Sequence, residues 1–259
     1  MFGTGLSDMD TRNAAHRDRH YKSPCRQQLS PQFAVNCETQ QSQSSVMSPI
    51  LYYMPEGAPS RGVLFLVRYL NLDVQLKVVR TYKDEHKDPA FLKLNPAHTV
   101  PVLEDNGLVL VDSQAIAVYL IEQYATKTNL FGNSVKERAL VLQRLFFNAT
   151  IFHEFKSLCA PIITGAVQKY DQTTLKKLFE TVELLEIYLK DQDFVAGKYV
   201  TVADFFIVNN IITMMRLNMD LSTFKHVNEW IVRMKTLTGF QECDQGAVAC
   251  ANLVLPKLK

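Results

Sequence analysis

The change of pattern at Gly132 constrains this chain more than any other feature. Every short β-prone run lies before it, and every long stretch of helical periodicity lies after it. Alternation with period two marks strands and recurrence near 3.6 marks helices, so the division predicts a mixed α/β unit followed by an all-helical one. Pro49 to Tyr53 is the first β-prone run. Pro55, Gly57 and Pro59 then break the chain before a helical pattern from Ser60 to Leu70, with Pro59 at a helix edge where a missing N–H does little harm. Gln75 to Val79 alternates as a second strand, and Asp88 to Asn95 makes a helical turn or two. Val102-Leu103 and Leu108 to Val111 bracket Glu104-Asp105-Asn106-Gly107, whose Asn-Gly pair is a strong hairpin signal. Asp112 and Ser113 precede an apolar-periodic segment ending near Tyr124, which places an N-cap at Ser113 or its neighbour.

Beyond Asn129 to Gly132 the helical patterns cover roughly 135–158, 173–190, 202–215 and 222–236. Glu242 to Leu253 has the composition of a short tail helix covering an apolar site. Thr201-Val202-Ala203-Asp204 has the Ser/Thr-x-x-acid form of an N-capping box, opening the apolar run from Phe205. Residues 1–46 are different: polar, rich in Gln and Ser, with no sustained apolar period, they are expected to be disordered. Asp8, Asp10 and Asp18 are interleaved with the arginines there, which argues against a mitochondrial presequence.

Composition excludes several functions. A formal charge of +2 gives no electrostatic footprint for nucleic acid. No window approaches 18 uninterrupted apolar residues, so no membrane-spanning helix is expected. The five cysteines, without C-x-x-C spacing or a preceding secretory segment, read as reduced thiols of a cytoplasmic protein. His86 and His98 lie far apart in sequence with no third ligand nearby, so no metal is expected. A Gly-rich phosphate loop, a G-x-S-x-G elbow and an H-E-x-x-H pair are all missing from the sequence.

Three clusters at strand ends or helix starts can carry chemistry: Glu56 to Arg61, His98 to Pro101, and Asp112-Ser113-Gln114. A helix N-terminus offers unpaired N–H groups and the positive end of a dipole to an anion. Asp112 and Ser113 can together hold a zwitterion, and a cis Val100-Pro101 bond would let Val100 pair with a peptide backbone. The plainer readings make Ser113 a cap, Asp112 a first-turn acid, His98 a surface loop residue, and His153 and Glu154 a polar pair at the boundary between units.

Taken together, Tyr52-Tyr53-Met54-Pro55, Phe91 to Leu103 with its Leu94-Asn95-Pro96-Ala97-His98-Thr99-Val100-Pro101 stretch, Asp105-Asn106-Gly107, Asp112 to Leu120 and Thr201 to Asp204 resemble a cytosolic glutathione S-transferase. The resemblance is nearest to the insect delta and epsilon classes and covers about residues 48–240. It implies a thioredoxin-like N-terminal domain over residues 47–126 and an α-helical C-terminal domain over 133–259, assembled as a homodimer. Glutathione is the implied co-substrate. By resemblance Val100, before a cis Pro101, pairs with its cysteinyl backbone, Asp112 and Ser113 hold its γ-glutamyl end, and His86 and His98 lie near its glycyl end. Gln114 stands where the family often has Arg. A second, hydrophobic substrate would lie against the helix carrying Phe152, His153 and Phe155, with Glu154 a candidate acidic contact for a steroid-like ligand.

One departure bears on catalysis. Delta-class relatives place a serine at the entrance of the first helix, and its hydroxyl donates to the glutathione sulfur; here Gly57 occupies that position. A charge-assisted hydrogen bond is worth about 1.5–3 kcal/mol, so its loss lowers the thiolate fraction about 10- to 100-fold near pH 7. Ser60, a backbone N–H of the first helix, or Tyr52 are the candidate substitutes. The expectation is a transferase that conjugates glutathione to hydrophobic electrophiles with reduced or altered activity; the alternative is a non-catalytic protein binding glutathione or hydrophobic ligands.

Overall fold

The computed structural model describes residues 48–259; the extension expected at residues 1–46 lies outside the described residues. The first half contains β1 (Ile50–Tyr53), α1 (Ala58–Tyr69), β2 (Gln75–Val78), α2 (Pro89–Leu94), β3 (Val102–Asp105), β4 (Leu108–Val111) and α3 (Ser113–Tyr124). The strands form one four-stranded sheet in the order β2-β1-β3-β4. β1 and β2 are parallel, joined by the α1 crossover, while β3 runs antiparallel to both β1 and β4. This is a thioredoxin-like arrangement.

Local chemistry explains the joints. Just beyond α1, Asn71, with a φ of 50°, closes the turn as the N–H groups of Asn71 and Leu72 donate to the carbonyls of Arg68 and Val67. The β3–β4 turn is tighter than the sequence pattern indicates. Glu104 and Asp105 stay in the strand, and only Asn106 (φ 47°) and Gly107 (φ 85°) turn. Asp105 leaves the turn because it is buried, accepting hydrogen bonds from the hydroxyls of Tyr119 and Tyr124 on α3. The α3 cap is Asp112 rather than Ser113: its Oδ1 accepts from the N–H groups of Gln114 (2.9 Å) and Ala115 (3.1 Å).

Helices α4 (Val135–Ile163), α5 (Gln172–Leu189), α6 (Val202–Arg216), α7 (Lys225–Met234) and α8 (Phe240–Val254) build the second half. α4 runs past the expected end near 158 because Pro161 falls in its last turn, where little of the hydrogen-bond ladder remains to be broken. α6 is buried on nearly every side and packs against α1, α4 and α8. Its capping acid Asp204 is fully buried and accepts from the Thr201 N–H and hydroxyl, the Val195 N–H and the Trp230 indole. Burial pushes this carboxyl up to about 6, against the pull of those donors. Among the described residues no helix is long and apolar enough to cross a membrane.

The halves join closely because two glycines permit it. A Cβ at Gly62 of α1 would fall 2.3 Å from the Phe206 ring of α6. One at Gly246 would fall 2.4 Å from the Pro55 carbonyl oxygen, so α8 rests directly on the β1–α1 turn.

Candidate functional site

A cleft of about 460 Å³ opens between the two halves. One wall consists of the β1–α1 turn, the loop after β2 and residues 98–100; the other is a face of α4 with parts of α6 and α8. Arg61, 1% exposed, locks the turn. Its guanidinium donates to the carbonyls of Pro55 (3.2 Å) and Glu56 (2.7 Å), to the side chain and carbonyl of Asn209, and to the Thr213 hydroxyl. Burial pushes its pKa down, and every contact is to a neutral oxygen.

Gly57 caps α1 with no side chain, and its N–H donates to the Met54 carbonyl at 3.0 Å. Ser60 is buried in the first turn, where its hydroxyl oxygen accepts from the Met54 N–H at 3.1 Å. The first N–H groups of a helix have no partner within it, and Pro59 has no N–H, so Ala58 and Ser60 supply the backbone donors of this helix start. Across the cleft, Asn95 scaffolds the loop that carries Val100. Its amide donates to Thr99 and accepts from the Ala97 N–H, while the Val100-Pro101 peptide is cis. Neither the N–H nor the C=O of Val100 has a partner among the described residues.

Polar groups line this wall. Glu56 Oε1 accepts from the Tyr82 hydroxyl at 2.9 Å and lies 3.5 Å from Arg80 Nε. The rings of His86 and His98 are 5.7 Å apart, and burial together with Lys87 holds the His86 pKa below its usual value. The α4 wall is a single helical stripe running from Phe152 through Phe155, Lys156 and Cys159 to Ile163. Cys250 and Leu253 of α8 complete it, as expected of a tail helix covering the site. Burial raises the pKa of both cleft thiols, Cys159 and Cys250, keeping them neutral.

With this geometry in view, comparison with known proteins is direct. The glutathione S-transferase N-terminal domain model matches residues 51–128, and the glutathione S-transferase C-terminal domain model matches residues 148–237. The chain belongs to the glutathione S-transferase family. A delta-class glutathione transferase from Nilaparvata lugens is 36% identical, with a TM-score of 0.77 over 81% of this chain and 99% of its own. An epsilon-class enzyme from Musca domestica is 31% identical, with a TM-score of 0.77 over 81% and 98%. A glutathione transferase homologue from Drosophila mojavensis, solved with bound glutathione, is 30% identical, with a TM-score of 0.78 over 82% and 98%.

This transferase brings some sequence-selected residues into its cleft and leaves others out. Gly57, Ser60, His86, His98, Val100, Phe152 and Phe155 line it. Asp112, Ser113 and Gln114 lie at the start of α3, outside the enclosed volume. Tyr52 points elsewhere because strand alternation puts it on the sheet face opposite Leu51 and Tyr53. There it packs on Phe91 and donates to Glu104 at 3.0 Å. His153 is exposed, and Glu154 turns toward α5, where it accepts from the Thr181 hydroxyl at 2.8 Å. Sequence reasoning missed Lys156, Cys159 and Ile163, although their 3-4 spacing from Phe152 was a usable signal. It also missed the role of Asn95 and the setting of Glu56, which no local pattern reports.

Proposed function

We propose that this transferase joins the sulfur of glutathione to an electrophilic carbon of a hydrophobic molecule held against α4. The observation that carries the reading is the meeting, in one cleft, of the open backbone of Val100, the N-terminus of α1 and the apolar stripe of α4. Glutathione then lies along the sheet edge: its cysteinyl amide pairs with Val100, its γ-glutamyl end extends toward Asp112 and Ser113, with Gln114 beside them, and its glycyl end lies near His86 and His98. The sulfur reaches the start of α1, where the Ala58 and Ser60 N–H groups and the helix dipole favour negative charge. A thiolate there attacks the electrophile, the C–S bond forms, and the leaving group departs with the electrons of the broken bond. With Gly57 in place of a hydroxyl donor, turnover is lower than in serine-bearing relatives.

Calorimetry with glutathione and turnover of a chlorinated aromatic compound test this. Binding with measurable conjugation is expected, and failure to bind glutathione overturns the proposal. Intact binding without turnover on any electrophile favours a second reading, a non-catalytic carrier of glutathione or steroid-like ligands, for which the missing side chain at Gly57 is the support. We further propose a cytoplasmic homodimer. Phe146, 73% exposed, and Leu142 one turn before it form an apolar patch on α4 suited to a partner subunit, and light scattering reads the state directly.

A further inference from the structure

We infer that Glu56 is the group that accepts the glutathione thiol proton, an inference that rests on the sulfur lying at the start of α1. Glu56 immediately precedes the α1 cap, lines the cleft and is only 9% exposed. Its Oε1 is fixed by Tyr82 and Arg80. Its Oε2 is buried and has no hydrogen-bond partner among the described residues. A buried carboxylate oxygen without a donor is destabilising, and because Glu56 lines the cleft, a turn of its side chain as glutathione binds brings this oxygen to a donor there. The donor that glutathione brings to this place is its S–H.

The residue pair Glu56-Gly57 thus changes the chemistry rather than merely removing it. A serine hydroxyl would donate to the thiolate; a carboxylate instead accepts from the thiol. In the proposed step the S–H bond breaks, its electron pair stays on sulfur, and the proton passes to Glu56 Oε2. The carboxylate is neutralised as the thiolate forms, so one negative charge moves between the groups and two never face each other. After the C–S bond forms, the proton leaves Glu56 for solvent or for the departing group. Arg80 and the α1 N-terminus hold the migrating charge. The other charged or titratable groups facing the cleft are Arg61 beneath the turn, Tyr82, His86 and His98 on the same wall, and Lys156, Cys159 and Cys250 opposite. Tyr82 acts through Glu56 and is a positioning residue.

The substitution Glu56→Gln keeps the shape and removes the base. At pH 7 it is expected to lower kcat about 10- to 100-fold with the KM for glutathione changed less than about threefold. The deficit should shrink about tenfold per pH unit as bulk solvent takes over ionisation of the thiol. Tyr82→Phe should give a smaller loss with the same pH trend, and it also serves if Glu56→Gln does not fold. Unchanged or faster turnover in both variants overturns the inference, a faster rate meaning that the carboxylate opposes the thiolate. Calorimetry with glutathione keeps the two levels apart: no binding by the unaltered protein overturns the proposed function itself, whereas binding without the kinetic loss overturns only the role of Glu56.

Discussion

The wall formed by residues 54–60 and 98–100 presents open backbone groups at fixed dihedrals together with a few polar side chains, whereas the wall of α4 and α8 presents mainly side-chain bulk at helical spacing. The first kind of wall needs particular residues at particular positions, because only they permit the required backbone: a proline after Val100, Pro59 in the first turn of α1, an Asn95 amide to hold the loop. The second needs only apolar residues on one helix face and tolerates many. Backbone recognition suits a constant co-substrate, and packing recognition suits a variable one.

The largest expected effect breaks the first wall from beneath. Arg61→Ala leaves the carbonyls of Pro55 and Glu56 without their donor and opens a cavity, so it should lower stability by about 3–5 kcal/mol in urea unfolding and abolish glutathione binding. Retained binding would show that the turn holds its shape unaided. A buried polar group in the helical half should behave differently. Asp204→Asn turns an amide toward existing donors and should cost about 2–4 kcal/mol at pH 7 without touching the cleft.

The same residue makes a pH prediction. Its folded pKa of about 6 lies above the ordinary 3.8, so its favourable contribution is complete below about pH 3.8 and is lost as pH rises through 6. The two-unit gap corresponds to about 3 kcal/mol. Unfolding midpoints between pH 4 and 7 should therefore fall more steeply for the natural protein than for Asp204→Asn; parallel curves would refute the shift.

Smaller effects sharpen the contrast between the walls. A Cβ at Gly57 meets the flexible Met54 methyl at 3.1 Å and the Met54 carbonyl oxygen at 3.4 Å, so Gly57→Ser fits once the methyl gives way, and it should raise kcat about tenfold by restoring a hydroxyl donor to the sulfur. No change in single-turnover rate would mean that another group already serves. Phe152→Ala should raise the KM for the hydrophobic substrate about 3- to 10-fold and leave glutathione affinity alone. An equal effect on both substrates would dissolve the division of labour.

Much of this molecule was legible from its residues. The strand–helix partition, the Asn106-Gly107 turn and the box at Thr201 are requirements of neighbouring dihedrals, and neighbouring residues carry them; the cis bond before Pro101 was implied only by the family resemblance. Tyr52 and Glu154 were candidates for the site until the side-chain directions were known. One alternates to the far face of the sheet and the other turns to Thr181. Asp105 was placed in a turn because nothing local announces the two tyrosines that bury it.

The sequence by itself determined the order of elements, the family pattern and the absence of a hydroxyl at Gly57, because each depends on residues adjacent in the chain. Only the tertiary structure decided which helix faces meet across the cleft. Cys159 and Cys250 come to one surface from distant helices, and Tyr82 and Arg80 reach Glu56 from the loop after β2. Contacts of that kind arise from packing, where Gly62 and Gly246 let the two halves close, and packing leaves no local signature in a sequence.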